Sequence, residues 1–254
     1  MLKTSSILCA VLAMYLPQVS ASPETDYIDQ QVALIQTDFG VQVHYRYAPP
    51  TYFPPEWQQP ALALSAAEID VAEATRLLPI IRQFLETHPE PVVRADLENI
   101  YLLRALSFKG KPYGGTHQGK SIYVVCDGEQ NRYDDAFMLR RLHSEFSSLL
   151  VVHHTFPTNS WIRFNPQGFT YSGTGFEMVD NPSRYDSTER SCSDGFLINY
   201  CRSSVQNDFN ILSAWLFTKR GELDTLSQQH ARLRQKQNIA EQFYSSLSGQ
   251  YTFD

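Results

Sequence analysis

The 254-residue chain holds only four cysteines, no two of them in a C-x-x-C pair, and it has no G-x-S-x-G turn. The dithiol and serine-hydrolase chemistries that rest on those motifs therefore have no anchor. Positive charge is in deficit: 21 Lys and Arg face 27 Asp and Glu, a formal net charge of −6. A nucleic-acid surface needs a basic stripe, so no nucleic-acid partner is expected. After Leu16 no apolar run approaches the length that crosses a bilayer. Internal repeats and low-complexity tracts are absent, and Asn181-Pro182-Ser183 fails as a glycosylation acceptor because proline stands in the middle.

What is present begins with an export pattern. Residues 1–21, MLKTSSILCAVLAMYLPQVSA, combine one early lysine, an apolar run from Ile7 to Leu16 and the small-residue ending Val19-Ser20-Ala21. This predicts a signal peptide cleaved before Ser22, a secreted or periplasmic product, and no membrane span in the mature chain. Cys9 leaves with the signal. In an oxidising compartment Cys192 and Cys201, which flank a Ser-Asp-Gly turn, can close a short loop. Cys126, at the end of SIYVVC, reads as a buried small hydrophobe.

Residues 22–64 read as a short strand, VQVHYR, followed by an extended segment. The run YAPPTYFPPEWQQP carries five prolines in fourteen residues, which excludes a helix or a central strand. Its aromatic side chains suit packing along a surface. Ser65-Ala-Ala-Glu68 has the form of a capping box and predicts a helix from there to His88. Ile69, Val71, Ala72, Leu77, Leu78, Ile81 and Phe84 make its apolar stripe, and Pro89 ends it. Two strands follow, NIYLLRALSF and KSIYVVC, joined by the glycine-rich turn GKPYGGTHQGK. Asp134-Asp135 predict the start of a helix that runs to about His154, with Pro157 beyond it. A long irregular segment leads to Ser203-Ser204, which open a helix carrying Phe209, Leu212, Leu216 and Phe217. A last helix spans roughly Glu222 to Leu247. Residues 65–254 thus read as one α+β domain.

RLHSEFSSLLVVHH, Arg141 to His154, sets three histidines and a glutamate on one helix. A zinc-peptidase helix needs two histidines four apart, because about 400° of rotation points both imidazoles the same way. Here His143 and His153 lie about 15 Å apart along the axis, and His153 and His154 splay by about 100°. The helix alone cannot build a zinc site. The two terminal histidines suit the negative end of the helix dipole instead. Glu145 shares a face with Leu142 and Leu149, so its carboxylate lies at a cleft or is held by a cation such as Arg202.

This helix, the preceding strand GKSIYVVC and the later run GFLINYCRSSVQNDFNILSAWLF together resemble zinc endopeptidases of the anthrax lethal factor type and their bacterial relatives. The resemblance covers roughly residues 120–217. It implies a zincin-like fold, with Glu145 as general base and Tyr200 as the hydroxyl that steadies the tetrahedral oxyanion. Tyr200 stands in a Tyr-x-Arg-Ser run with Arg202. It also implies that the three metal positions fall on Ser144, Ser148 and Asn207, whose hydroxyls and amide are poor zinc donors. The expectation is a decayed site with no cofactor, in a protein that binds an extended peptide or protein segment by strand addition. The alternative keeps zinc, through an unorthodox set of His117, Glu145 and Asp208. The aromatic loop from Trp161 to Phe176 reads as a lining of the same cleft or as a hydrophobic cover on the core.

Overall fold

The computed structural model describes residues 23–128, 133–173, 175–178 and 181–253. The expected signal segment lies outside the described residues.

The chain opens with helix α1, Pro23–Phe39, where the sequence suggested no helix. It buries only a narrow stripe, Ile28 and Ile35, and leaves Tyr27 and Leu34 exposed, so its amphipathic pattern is weak. Strand β1, Gln42–His44, follows. The proline-rich segment is irregular, with a turn over residues 49–52 and two single 3-10 turns, Pro55–Gln58 and Pro60–Leu62. Ser65–Glu68 is strand β2 and not a helix cap. It pairs antiparallel with strand β3, Asn99–Phe108, from Ser65 opposite Ser107 to Glu68 opposite Leu103. Satisfying the open edge of a ten-residue strand outweighs the local capping signal. Helix α2, Val71–Thr87, starts instead after Asp70. Helix α3, Glu90–Asp96, leads into β3.

The glycine-rich run expected as a turn is itself strand: β4, Lys111–Pro112, and β5, Gly115–Gln118, precede β6, Ser121–Val125. Lys109 and Gly110, both at positive φ, make the first hairpin turn. The run Gly114–Ser121, GGTHQGKS, has the spacing of a phosphate-binding loop. Its fold excludes that use, because a hairpin leads from it into a strand and no helix N-terminus follows. In the mixed sheet β1 and β6 flank the first half of β3 in parallel, β2 and β4 flank its second half antiparallel, and β5 is the edge strand, antiparallel to β6.

Side chains alternate across the sheet. Ile100, Leu102, Ile122, Val124 and Cys126 face the helices, whereas Leu103, Leu106, Tyr123 and Val125 face the proline-rich segment, which covers them with Tyr52 and Phe53. That segment therefore packs on a sheet surface, as its aromatic content suggests.

Helix α4, Asp135–His153, lies between the sheet and helix α8, Val205–Thr218. Asp134 caps α4 by accepting from the Phe137 N–H, and Ser204 caps α8 by accepting from the Asn207 N–H. Between them run three short helices, α5 (Thr158–Ile162), α6 (Gly175–Met178) and α7 (Glu189–Ser193). The expected last helix is two, α9 (Arg220–Gln229) and α10 (Ala231–Leu247), because His230 takes an extended backbone and lets them pack on each other. Cys192 and Cys201 are both buried and unbridged. The Arg202–Asp194 ion pair, 2.7 Å, ties that loop instead. No helix among the described residues is long and apolar enough to cross a membrane.

Candidate functional site

A cleft of about 610 Å³ opens between the edge strand β5, α4 and α8. Helix α4 contributes Ser144, Glu145 and Ser148, whose three- and four-residue spacings set them on one face. Helix α8 contributes Asn207 and Asn210, β5 contributes His117, and the turn Asn199–Arg202 presents Tyr200. Six of the residues marked out in the sequence thus meet in one place: His117, Ser144, Glu145, Ser148, Tyr200 and Asn207.

The cleft is wired locally. His117 Nδ1 lies 3.8 Å from Glu145 Oε2, and its Nε2 lies 3.2 Å from the amide nitrogen of Gln206. With that amide donating, Nε2 accepts and the ring proton sits on Nδ1, toward Glu145. Ser148 donates to the Ser144 carbonyl at 3.2 Å and accepts from the Asn210 amide. The Asn207 amide donates to Ser203 Oγ at 2.8 Å. Burial pushes the Tyr200 phenol well up, and the nearby Glu145 carboxylate pushes the same way while Arg141 opposes it. Tyr200 is therefore a protonated hydroxyl at neutral pH, able to donate.

Two glycine positions explain how tightly these groups approach the backbone. A Cβ on Gly115 would stand 2.4 Å from Glu145 Oε1, and one on Gly175 would stand 2.3 Å from the Tyr200 hydroxyl oxygen. Only residues without a side chain let the carboxylate and phenol rest there.

Asp208 and Arg202 do not join the cleft. Neighbours on a helix diverge by about 100°, so Asp208 points away from the side that Asn207 faces. It is buried, and its Oδ2 accepts from Lys236 Nζ at 2.6 Å, Trp161 Nε1 at 2.8 Å and Tyr171 Oη at 2.8 Å. Burial pushes its pKa up, with Lys236 pulling against it. The expected set of His117, Glu145 and Asp208 is thereby broken: its third member is committed to an ion pair behind α8. Arg202 holds Asp194 and stacks on Phe196, so it is not the partner of Glu145. The loop after Trp161 is largely at the surface, but it anchors to the core through buried Trp161 and half-buried Phe169 and Tyr171, the last on Asp208, while Gly175 reaches the cleft. His143 faces inward against His88, and His153 and His154 share the carboxylate of Asp96.

Sequence reading missed Arg140, Arg141, Arg184, Asn210, Trp215 and Lys219 as lining residues. The first two had a signal: Phe137, Arg140, Arg141, Ser144, Glu145 and Ser148 recur at helical spacing on α4.

No protein-family model matches the chain, and no curated protein does. A solved structure does match: a crystal structure of a "putative zinc-binding metallo-peptidase" from Bacteroides caccae ATCC 43185, with a TM-score of 0.59 and 16% identity, over 92% of this chain and 90% of that one. At that identity the likeness concerns the fold: the chain has a metallopeptidase-like α+β fold. Zinc itself does not fit the residues present. The positions that the sequence resemblance assigns to metal ligands, Ser144, Ser148 and Asn207, carry two hydroxyls and an amide, and among the described residues no three His, Cys, Asp or Glu are grouped to hold an ion.

Proposed function

We propose that the chain is an exported binding or assembly module, built on a zincin-like fold of the lethal factor type whose zinc binding and peptidase activity have been lost. Its ligand is an extended peptide or protein segment that adds to the sheet along β5. The observation that supports this reading is the outer edge of β5, which pairs with no further strand among the described residues and borders the cleft. A peptide laid there gains main-chain hydrogen bonds from the strand and side-chain contacts from α4 and α8. Glu145 and Tyr200 then serve as an acceptor and a donor for the bound segment, not as base and oxyanion stabiliser, because the hydroxyls of Ser144 and Ser148 and the amide of Asn207 are poor donors for a water-activating zinc.

Elemental analysis of residues 22–254 after zinc loading and dialysis tests the loss of the metal site. The reading expects zinc far below one atom per chain and no cleavage of a mixed peptide library. About one zinc per chain, displaced by Glu145→Gln and accompanied by peptide cleavage, would overturn it.

A further inference from the structure

The cleft is charged against the grain of the molecule. The chain carries a net charge of −6, yet Arg140, Arg141, Arg184 and Lys219 line the cleft beside a single described carboxylate, Glu145. Lys219 already pairs with Glu222, and Arg184 donates to the Asn181 carbonyl. Arg140 and Arg141 make no ion pair among the described residues. Their guanidinium faces are held by aromatic rings instead: Arg141 lies 4.7 Å from the Phe137 centroid and 5.7 Å from that of Tyr133, and Arg140 lies 6.0 Å from Phe137. Stacking occupies the planar faces and leaves the N–H edges for a ligand.

Arg141 is also placed by the fold. A Cβ on Gly114 would fall 1.5 Å from its Nη1, so the guanidinium lies against the backbone just before the edge strand. Its charge reaches Tyr200, whose phenol it pulls down against the larger push of burial. Asn210 also lines the cleft, is only 6% exposed, and donates its amide to Ser148, while its buried Oδ1 has no hydrogen-bond partner among the described residues. Next to it, Ile211, Ala214 and Trp215 give an apolar wall.

We infer that the occupant of this cleft is an acidic extended peptide, with an aspartate or glutamate side chain held by Arg141 and Arg140. This rests on the peptide-binding reading above and names its ligand class. Guanidinium groups poised edge-on suit a carboxylate, which they can bind in bidentate fashion. A basic peptide would meet like charge, and a neutral one would leave the arginine edges unused.

The test uses the full mature chain and fluorescein-labelled pools of short peptides, N-acetylated and C-amidated so that no terminal carboxylate takes part. One pool carries Glu at two positions, the second Gln and the third Lys at the same positions, and anisotropy reads the affinity. Binding of the Glu pool at least about tenfold tighter than the Gln pool is expected, with the advantage shrinking as salt rises. Arg140→Gln with Arg141→Gln should erase that preference. Gly114→Ala should reduce it without altering any charge, because it displaces Arg141 alone, and circular dichroism checks that both variants fold. Equal binding of Glu and Gln pools overturns the acidic assignment and leaves the peptide reading standing. Binding of none of the pools overturns both.

Discussion

Helix α8 presents two polar faces that are built on opposite terms. Toward the interior, Asp208 is fully satisfied by Lys236, Trp161 and Tyr171, in a place where an unpaired charge would be ruinous. Toward the cleft, Asn207 and Asn210 are neutral, one tied to Ser203 and the other left with an open acceptor. Helix α4 repeats the contrast. His143 and Ser147 face inward, against His88 and Tyr244, while Ser144, Glu145 and Ser148 border the cleft. Polar groups in the interior therefore hold the fold, and polar groups in the cleft are available to a ligand. Asp208, the carboxylate next to Asn207, turns away from the cleft and is already consumed.

That comparison is breakable. The largest effect is expected at the interior pair: Asp208→Ala strands a buried ammonium that is 0% exposed, and should lower unfolding free energy by about 3–5 kcal/mol in urea titrations. Asp208→Leu combined with Lys236→Met should lose much less, since neither charge remains. If the single and double variants unfold alike, the pair does not hold the loop as described.

A pH titration comes next. Burial drives His143 down to about 3 and His88 well below its ordinary value, His88 further depressed by its neighbour. Both are neutral in the folded protein and free to protonate in the unfolded chain. Their contribution is thus complete above about pH 6.5 and is lost as pH falls from there toward the folded-state values. Two such groups give a slope of up to roughly 2.7 kcal/mol per pH unit. The urea midpoint should be level near pH 7–8 and fall steadily below about pH 6; replacing both histidines by phenylalanine should flatten the fall. A midpoint that stays level into acid in the native sequence would count against the neutral pair.

The smallest effect belongs to the cleft. Glu145→Gln should change stability by less than about 1 kcal/mol, measured by the same titrations. A loss as large as that of Asp208→Ala would place Glu145 with the interior groups and erase the distinction between the two faces.

Much of the scaffold was legible in the chain. The caps Asp134 and Ser204 mark the starts of α4 and α8, and the alternation in NIYLLRALSF and SIYVVC marks β3 and β6. The resemblance drew Glu145, Ser144, Ser148, Tyr200 and Asn207 together, and the cleft contains all five. Where reading failed, a distant partner decided the outcome. Ser65–Glu68 became strand because β3 had an edge to fill, and the long final helix broke at His230 without any glycine or proline to announce it. The weak stripe of α1 hid a helix whose burial depends on α2.

What the sequence by itself determined is local: periodicity, capping, the breaks at proline and the chemistry of each donor, which already made Ser144, Ser148 and Asn207 unfit for zinc. Only the tertiary structure decided direction: that Asn207 faces the cleft while Asp208 turns to Lys236, that Arg141 lies against Gly114, and that Cys192 and Cys201 stay apart. The reason is geometric. Successive helical residues diverge by about 100°, and which of those directions meets a cleft, a core or a counter-charge depends on elements far away in the chain.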